Sequence, residues 1–99
     1  MFTRENILEQ LNHKAEELKQ NFTVRNIGLF GSLVRNEADS ESDVDILVDF
    51  SEPTFDHYMD LKFYLEDLFK TKVDLVMMDT LKPAIKSRIL EEVQLVSGI

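Results

Sequence analysis

The sequence has no cysteine, two histidines, three glycines and two prolines in 99 residues. Without cysteine there is neither a disulfide nor a thiolate site, which agrees with a cytoplasmic setting. Two histidines and no cysteine also argue against structural zinc. No apolar run approaches the roughly 18 residues of a membrane span, and the opening Met-Phe-Thr-Arg-Glu-Asn does not read as a signal peptide. Bases are scarce as well: eleven Lys and Arg against nineteen Asp and Glu leave a formal charge of −8. Such a chain lacks the electrostatic footprint of a free-standing nucleic-acid binder. It fits better with small magnesium-bound substrates or a basic protein partner. A generically acidic surface explains most of the excess, because a few metal ligands cannot account for all of it. The length allows one core, so a single domain over residues 1–99 is expected.

What the sequence does have is the stretch from Gly28 to Phe50, Gly-Leu-Phe-Gly-Ser-Leu-Val-Arg-Asn-Glu-Ala-Asp-Ser-Glu-Ser-Asp-Val-Asp-Ile-Leu-Val-Asp-Phe. An apolar run ends in Gly31-Ser32, ten residues intervene, and Asp43-Val44-Asp45 opens a second apolar run. Residues two apart on a strand share a face, about 6–7 Å apart along it. Two carboxylates so placed repel each other unless a divalent cation, with phosphate oxygens completing its shell, sits between them. Gly31 and Ser32 could offer backbone N–H groups and a hydroxyl to that phosphate. The stretch reads as a metal–nucleotide site.

Around it, Thr3 caps a helix whose stripe is Ile7, Leu8, Leu11, Ala15 and Leu18. His13 lies off that stripe and reads as surface. Val24–Phe30 is the first strand, with Val24, Gly28 and Phe30 on one parity and Ile27 and Leu29 on the other, which suggests burial on both faces. Gly28 within it predicts a close backbone approach or a bulge. Ser32 can cap a short helical segment, Leu33 to Glu37, whose N–H groups and Arg35 would face an anion. Val44–Val48 is the second strand. Thr54 or Asp56 starts a long helix with Tyr58, Leu61, Leu65, Leu68 and Phe69 inward, and His57 in its first turn reads as structural or exposed. Lys72–Met78 is a third strand, and Thr80 caps a last helix, Leu81 to about Glu91, with Ile85, Ile89 and Leu90 inward. Val93–Val96 is a short final strand. No repeat, linker or low-complexity segment interrupts this order, and the expected class is α+β: a small mixed sheet of three to four strands flanked by helices.

Asp74 stands alone in an apolar strand, where a buried unpaired carboxylate is costly. Either it lies in water beside Lys72, or its strand neighbours that of Asp45 and it completes a three-carboxylate cluster. The upstream aspartate pair favours the second reading.

A strand, Gly-Ser, ten residues, Asp-apolar-Asp, a strand and a later strand aspartate together resemble the nucleotidyltransferase superfamily of the DNA polymerase β type. The wording Gly-Ser-Leu-Val-Arg-Asn-Glu and Ser-Asp-Val-Asp-Ile-Leu-Val-Asp-Phe is similar to the minimal nucleotidyltransferases, the MNT antitoxins of HEPN/MNT toxin–antitoxin modules. The likeness spans Phe2 to Val96. Two positions depart from the usual wording: Val34 stands for Ala and Asn36 for Gly, and Asn still tolerates a left-handed backbone. The resemblance implies that Gly31, Ser32 and Arg35 contact the nucleotide triphosphate. It implies that Asp43, Asp45 and Asp74 hold Mg²⁺, two ions in all, with Asp74 also activating the attacking hydroxyl. It further implies ATP as substrate and a HEPN-domain RNase toxin as partner, with AMP transferred to a toxin tyrosine. Two other readings stay open at this point: neutralisation of the partner by contact alone, with nucleotide as a structural ligand, and transfer to a small-molecule or RNA hydroxyl. Self-association is left open.

Overall fold

The computed structural model describes residues 3–31, 34 and 44–96. The chain runs α1 (Arg4–His13), α2 (Ala15–Phe22), β1 (Val24–Phe30), β2 (Val44–Phe50), α3 (Phe55–Phe69), β3 (Val73–Met77), α4 (Pro83–Glu92) and β4 (Gln94–Leu95), with a 3₁₀ turn at Met78–Thr80. The sheet order is β3-β2-β1-β4. β1 is antiparallel to β2 and β4, and β2 is parallel to β3. This is the expected α+β class with a mixed sheet.

Helix starts follow the side chains that can satisfy free N–H groups. Thr3 Oγ1 accepts from the Asn6 N–H at 3.1 Å, and Thr54 Oγ1 from that of His57 at 3.1 Å. The single N-terminal stripe is carried by two helices, because the chain turns at Lys14, whose N–H reaches back to the Gln10 and Leu11 carbonyls. Ile7, Leu11, Ala15 and Leu18 are buried all the same. Thr80 does not cap the last helix. It sits in the 3₁₀ turn and donates to the Met77 carbonyl, while Pro83 takes the first helical position, where its missing N–H costs nothing.

One face of the sheet carries the core. Ile27 and Leu29 of β1, Val44, Ile46, Val48 and Phe50 of β2, and Val73 and Leu75 of β3 meet Ile7, Leu11, Leu18, Leu61, Leu65 and Phe69 of the helices. Val24 joins them despite its opposite parity, because the β1–β2 register shifts between Val24 and Asn26. A bulge there inserts one residue and re-aims everything after it. Gly28 serves a close approach: a Cβ would come within 2.8 Å of the Gln94 carbonyl on β4. The other face is mixed, with Phe30 and Leu47 buried among Asn26, Asp45 and Asp49. So short an apolar strip cannot bury a whole helix flank. Ile85 and Leu90 are accordingly 48% and 43% exposed, against expectation, and Ile89 is half-buried. Among the described residues no helix is long and apolar enough to cross a membrane.

Asp49, 7% exposed, accepts from Arg25 Nε and Nη2 at 2.8 and 3.0 Å and from Asn26 Nδ2 at 3.3 Å. The Arg25 hydrogen bonds hold its carboxyl below the usual range in spite of burial, with smaller pulls from Asn26 and Lys86. A group whose pKa is depressed on folding stabilises above its unfolded value and loses that contribution as pH falls through the folded one. Asp49→Asn should therefore melt below the wild type at pH 7, and the gap should narrow as pH falls below the ordinary carboxylate range in parallel thermal scans. Lys70, at φ 54°, ends α3 in the left-handed region. Lys70→Gly should raise stability by roughly 0.5–1 kcal/mol in urea unfolding, because glycine pays no Cβ penalty there.

Candidate active site

The last residue of β1, the first residues of β2, β3 and β4, and the C-terminal end of α4 meet at one end of the sheet. This follows from the pairing: Phe30 lies opposite Asp45, Val44 beside Val73, and Leu29 opposite Gln94. Asp45 and Asp74 are in register across the parallel β2–β3 pair. In-register residues on neighbouring strands, about 4.8 Å apart, point to the same side. Both carboxylates therefore project from the face opposite the helical core. Asp74 is exposed and Asp45 half-buried. Among the described residues no ion pair joins Asp74 to Lys72. The register sets Asp74 beside Asp45, as the cluster reading expects, and its side chain is exposed, as the water-facing reading expects.

Gly31 closes the third side. Its φ is +80°, and a Cβ would fall on Asp45 Oδ2 and within 2.8 Å of Asp45 Cγ. Only glycine lets the chain turn here against a carboxylate. The Gly31 N–H donates to Glu92 Oε1 at 3.2 Å. Glu92 also lines a cavity of about 150 Å³ with Ile85, Arg88 and Ile89. The sequence reading ended the last helix near Glu91 and gave Glu92 no role.

Asp43, Ser32 and Arg35 lie outside the described residues, as do most of the expected Leu33–Glu37 segment and Asn36. Among the described residues no group of three potential metal ligands forms. The donors that are described still suit a hard cation: two carboxylates in register on neighbouring strands, hard oxygen ligands both. His57 is committed elsewhere. Its Nδ1 lies 2.7 Å from the Glu52 carbonyl, which can only accept, so that nitrogen carries the proton and ties the start of α3 to the preceding loop. His13 is exposed, as expected. A cavity of about 410 Å³ lies toward the C-terminal end of β3, away from Asp74, between Pro53, Phe55, Leu75 and Met77. Its one phenol, Tyr58, donates to the Leu75 carbonyl at 2.7 Å, and no acid or base lines it.

Residues 11–96 match the family described as a nucleotidyltransferase domain. The chain belongs to the nucleotidyltransferase family. This nucleotidyltransferase is 49% identical over 94 residues to the protein adenylyltransferase MntA of Thermococcus cleftensis, covering 94% of this chain and 95% of the relative. A solved structure described as a candidate minimal nucleotidyltransferase aligns with a TM-score of 0.79 at 31% identity, over 94% of this chain and 95% of that one. A structure of a tri-AMPylated Shewanella oneidensis HEPN toxin in complex with MNT antitoxin aligns with a TM-score of 0.65 over 93% of this chain and 73% of that one. Its 19% identity shows the fold alone.

In this nucleotidyltransferase, Gly31→Ala should be damaging twice over. The left-handed backbone should cost on the order of 1–3 kcal/mol, and the new methyl must displace the Asp45 carboxylate. We expect a lower melting temperature together with loss of nucleotide-induced stabilisation. A variant that melts lower yet keeps its full thermal shift with Mg-ATP would show that Asp45 need not stay where it is.

Proposed function

We propose that the chain, acting as one minimal nucleotidyltransferase domain over residues 1–99, is a protein adenylyltransferase antitoxin. It transfers AMP from ATP to a tyrosine hydroxyl of a HEPN-domain toxin. The observation that carries the reading is the in-register pair of Asp45 and Asp74 beside Gly31. Near-full-length identity of 49% to a protein named as a protein adenylyltransferase supports the substrate class. The HEPN partner is supported by the motif resemblance and by the complex in which a fold neighbour is found.

Each residue then has a task. Asp43, Asp45 and Asp74 hold two Mg²⁺ ions, which when bound offset the charge of the triphosphate and make an incoming hydroxyl more acidic. Gly31 and Ser32 present the turn after β1 to the β- and γ-phosphates, and Arg35 adds a cation to them. Asp74, on the exposed side of the pair, takes the proton of the tyrosine hydroxyl. The phenolic oxygen attacks the α-phosphorus in line, the bond from that phosphorus to the bridging oxygen breaks, and pyrophosphate leaves with the electron pair. The acceptor comes from a partner, and Asp74, exposed beside Asp45, is the side of the pair that it meets.

The test is intact-mass spectrometry of the HEPN partner after incubation with this protein and Mg-ATP, with Asp45→Asn and Asp74→Asn beside it. We expect AMP-sized additions with the wild type, slowed by at least about a hundredfold in either variant. A stable complex with no added mass would overturn the transferase reading in favour of neutralisation by contact.

A further inference from the structure

The β1–β4 ladder pairs Gly28 with Leu95 and Leu29 with Gln94. Continued in the same register, it would set Phe30 opposite Val93 and Gly31 opposite Glu92. The backbone cannot continue it, because α4 runs to Glu92 and the Val93 N–H is bonded to the Ile89 carbonyl at 2.8 Å. The acceptor that Gly31 would lose is replaced by a side chain: Glu92 Oε1 takes its N–H at 3.2 Å. Gly31 is thereby held between two carboxylates, Asp45 against its α-carbon and Glu92 on its amide.

We propose that Glu92 is a positioning residue for the nucleotide-binding turn, fixing the peptide plane of Gly31 where that turn meets the triphosphate. The inference rests on the reading of Gly31-Ser32 as the triphosphate-binding element. A carboxylate close to a bound polyanion is electrostatically unfavourable. Its use there is explained by the hydrogen bond, for which it is long enough and correctly placed, rather than by its charge. A neutral side chain of the same length, with an oxygen acceptor, should serve as well.

The experiment compares the wild type with Glu92→Gln, Glu92→Ala and Glu92→Asp, the last keeping the charge but drawing the oxygen back by one methylene. Binding of a non-hydrolysable ATP analogue with Mg²⁺ is followed by calorimetry, transfer kinetics give KM against kcat, and NMR follows exchange of the Gly31 amide. Glu92→Ala and Glu92→Asp should bind the analogue on the order of tenfold more weakly, a change expected in KM more than in kcat. Their Gly31 amides should exchange faster, with melting temperatures close to the wild type. Glu92→Gln should restore affinity and amide protection. Wild-type affinity in Glu92→Ala or Glu92→Asp would overturn the proposal, as would a Glu92→Gln variant as weak as Glu92→Ala, which would make the charge the active feature. If the wild type itself binds no nucleotide, the reading of the turn as a triphosphate site fails instead. The Gly31 exchange rates then still decide whether Glu92 holds that peptide.

Discussion

Two carboxylates directly opposite each other on adjacent strands oppose strand pairing, since like charges in that position are destabilising. The β2–β3 pair accepts this at Asp45 and Asp74 because the reverse side of the same strands is apolar. Val44, Ile46 and Val48 lie beside Val73 and Leu75, and all are buried against the helices. Period-two alternation lets one strand hold both roles without compromise: even positions of β2 enter the core and odd ones carry the acids. The helices that cover the core face therefore also hold the two carboxylates together, although none of α1, α2 or α3 supplies a candidate site residue.

The acidity of the chain is not uniform in its consequences. Asp49 belongs to the same alternating set as Asp45, two intervals further along β2, yet it is neutralised by the Arg25 fork and by Asn26. Going from Asp49 to Asp45, β2 passes from an acid held by the Arg25 fork to one in register with Asp74.

Much of this was legible in the sequence, for physical reasons. Apolar runs with alternating acids fixed the strands to within a residue or two, and Thr3, Thr54 and Pro83 marked helix starts by chemistry that requires no tertiary contact. Asp45 and Gly31 stood out because a carboxylate and a turn-forming glycine are out of place beside buried strands. What was not legible depended on partners distant in the chain. The parity of Val24 conflicts with that of Ile27 until the register shift against β2 is known. Leu90 has the composition of a core residue, yet it is 43% exposed. Glu92 resembles any solvated helix-end glutamate until β4 folds back along β1 and sets it against Gly31.

The bulge near Arg25 gives β1 one place where a change in length can be absorbed. Ahead of it Val24 faces the helices, and behind it Ile27 and Leu29 do so on the opposite parity. Losing that extra residue would leave an unbroken alternation in which Val24, Ile27 and Leu29 still face the helices, whereas losing one between Ile27 and Gly31 would roll the glycine turn to the wrong side of the sheet. A change in the length of β1 is therefore tolerable at the bulge and all or none beyond it. The site at the strand's end is thus indexed from the bulge rather than from the strand's beginning.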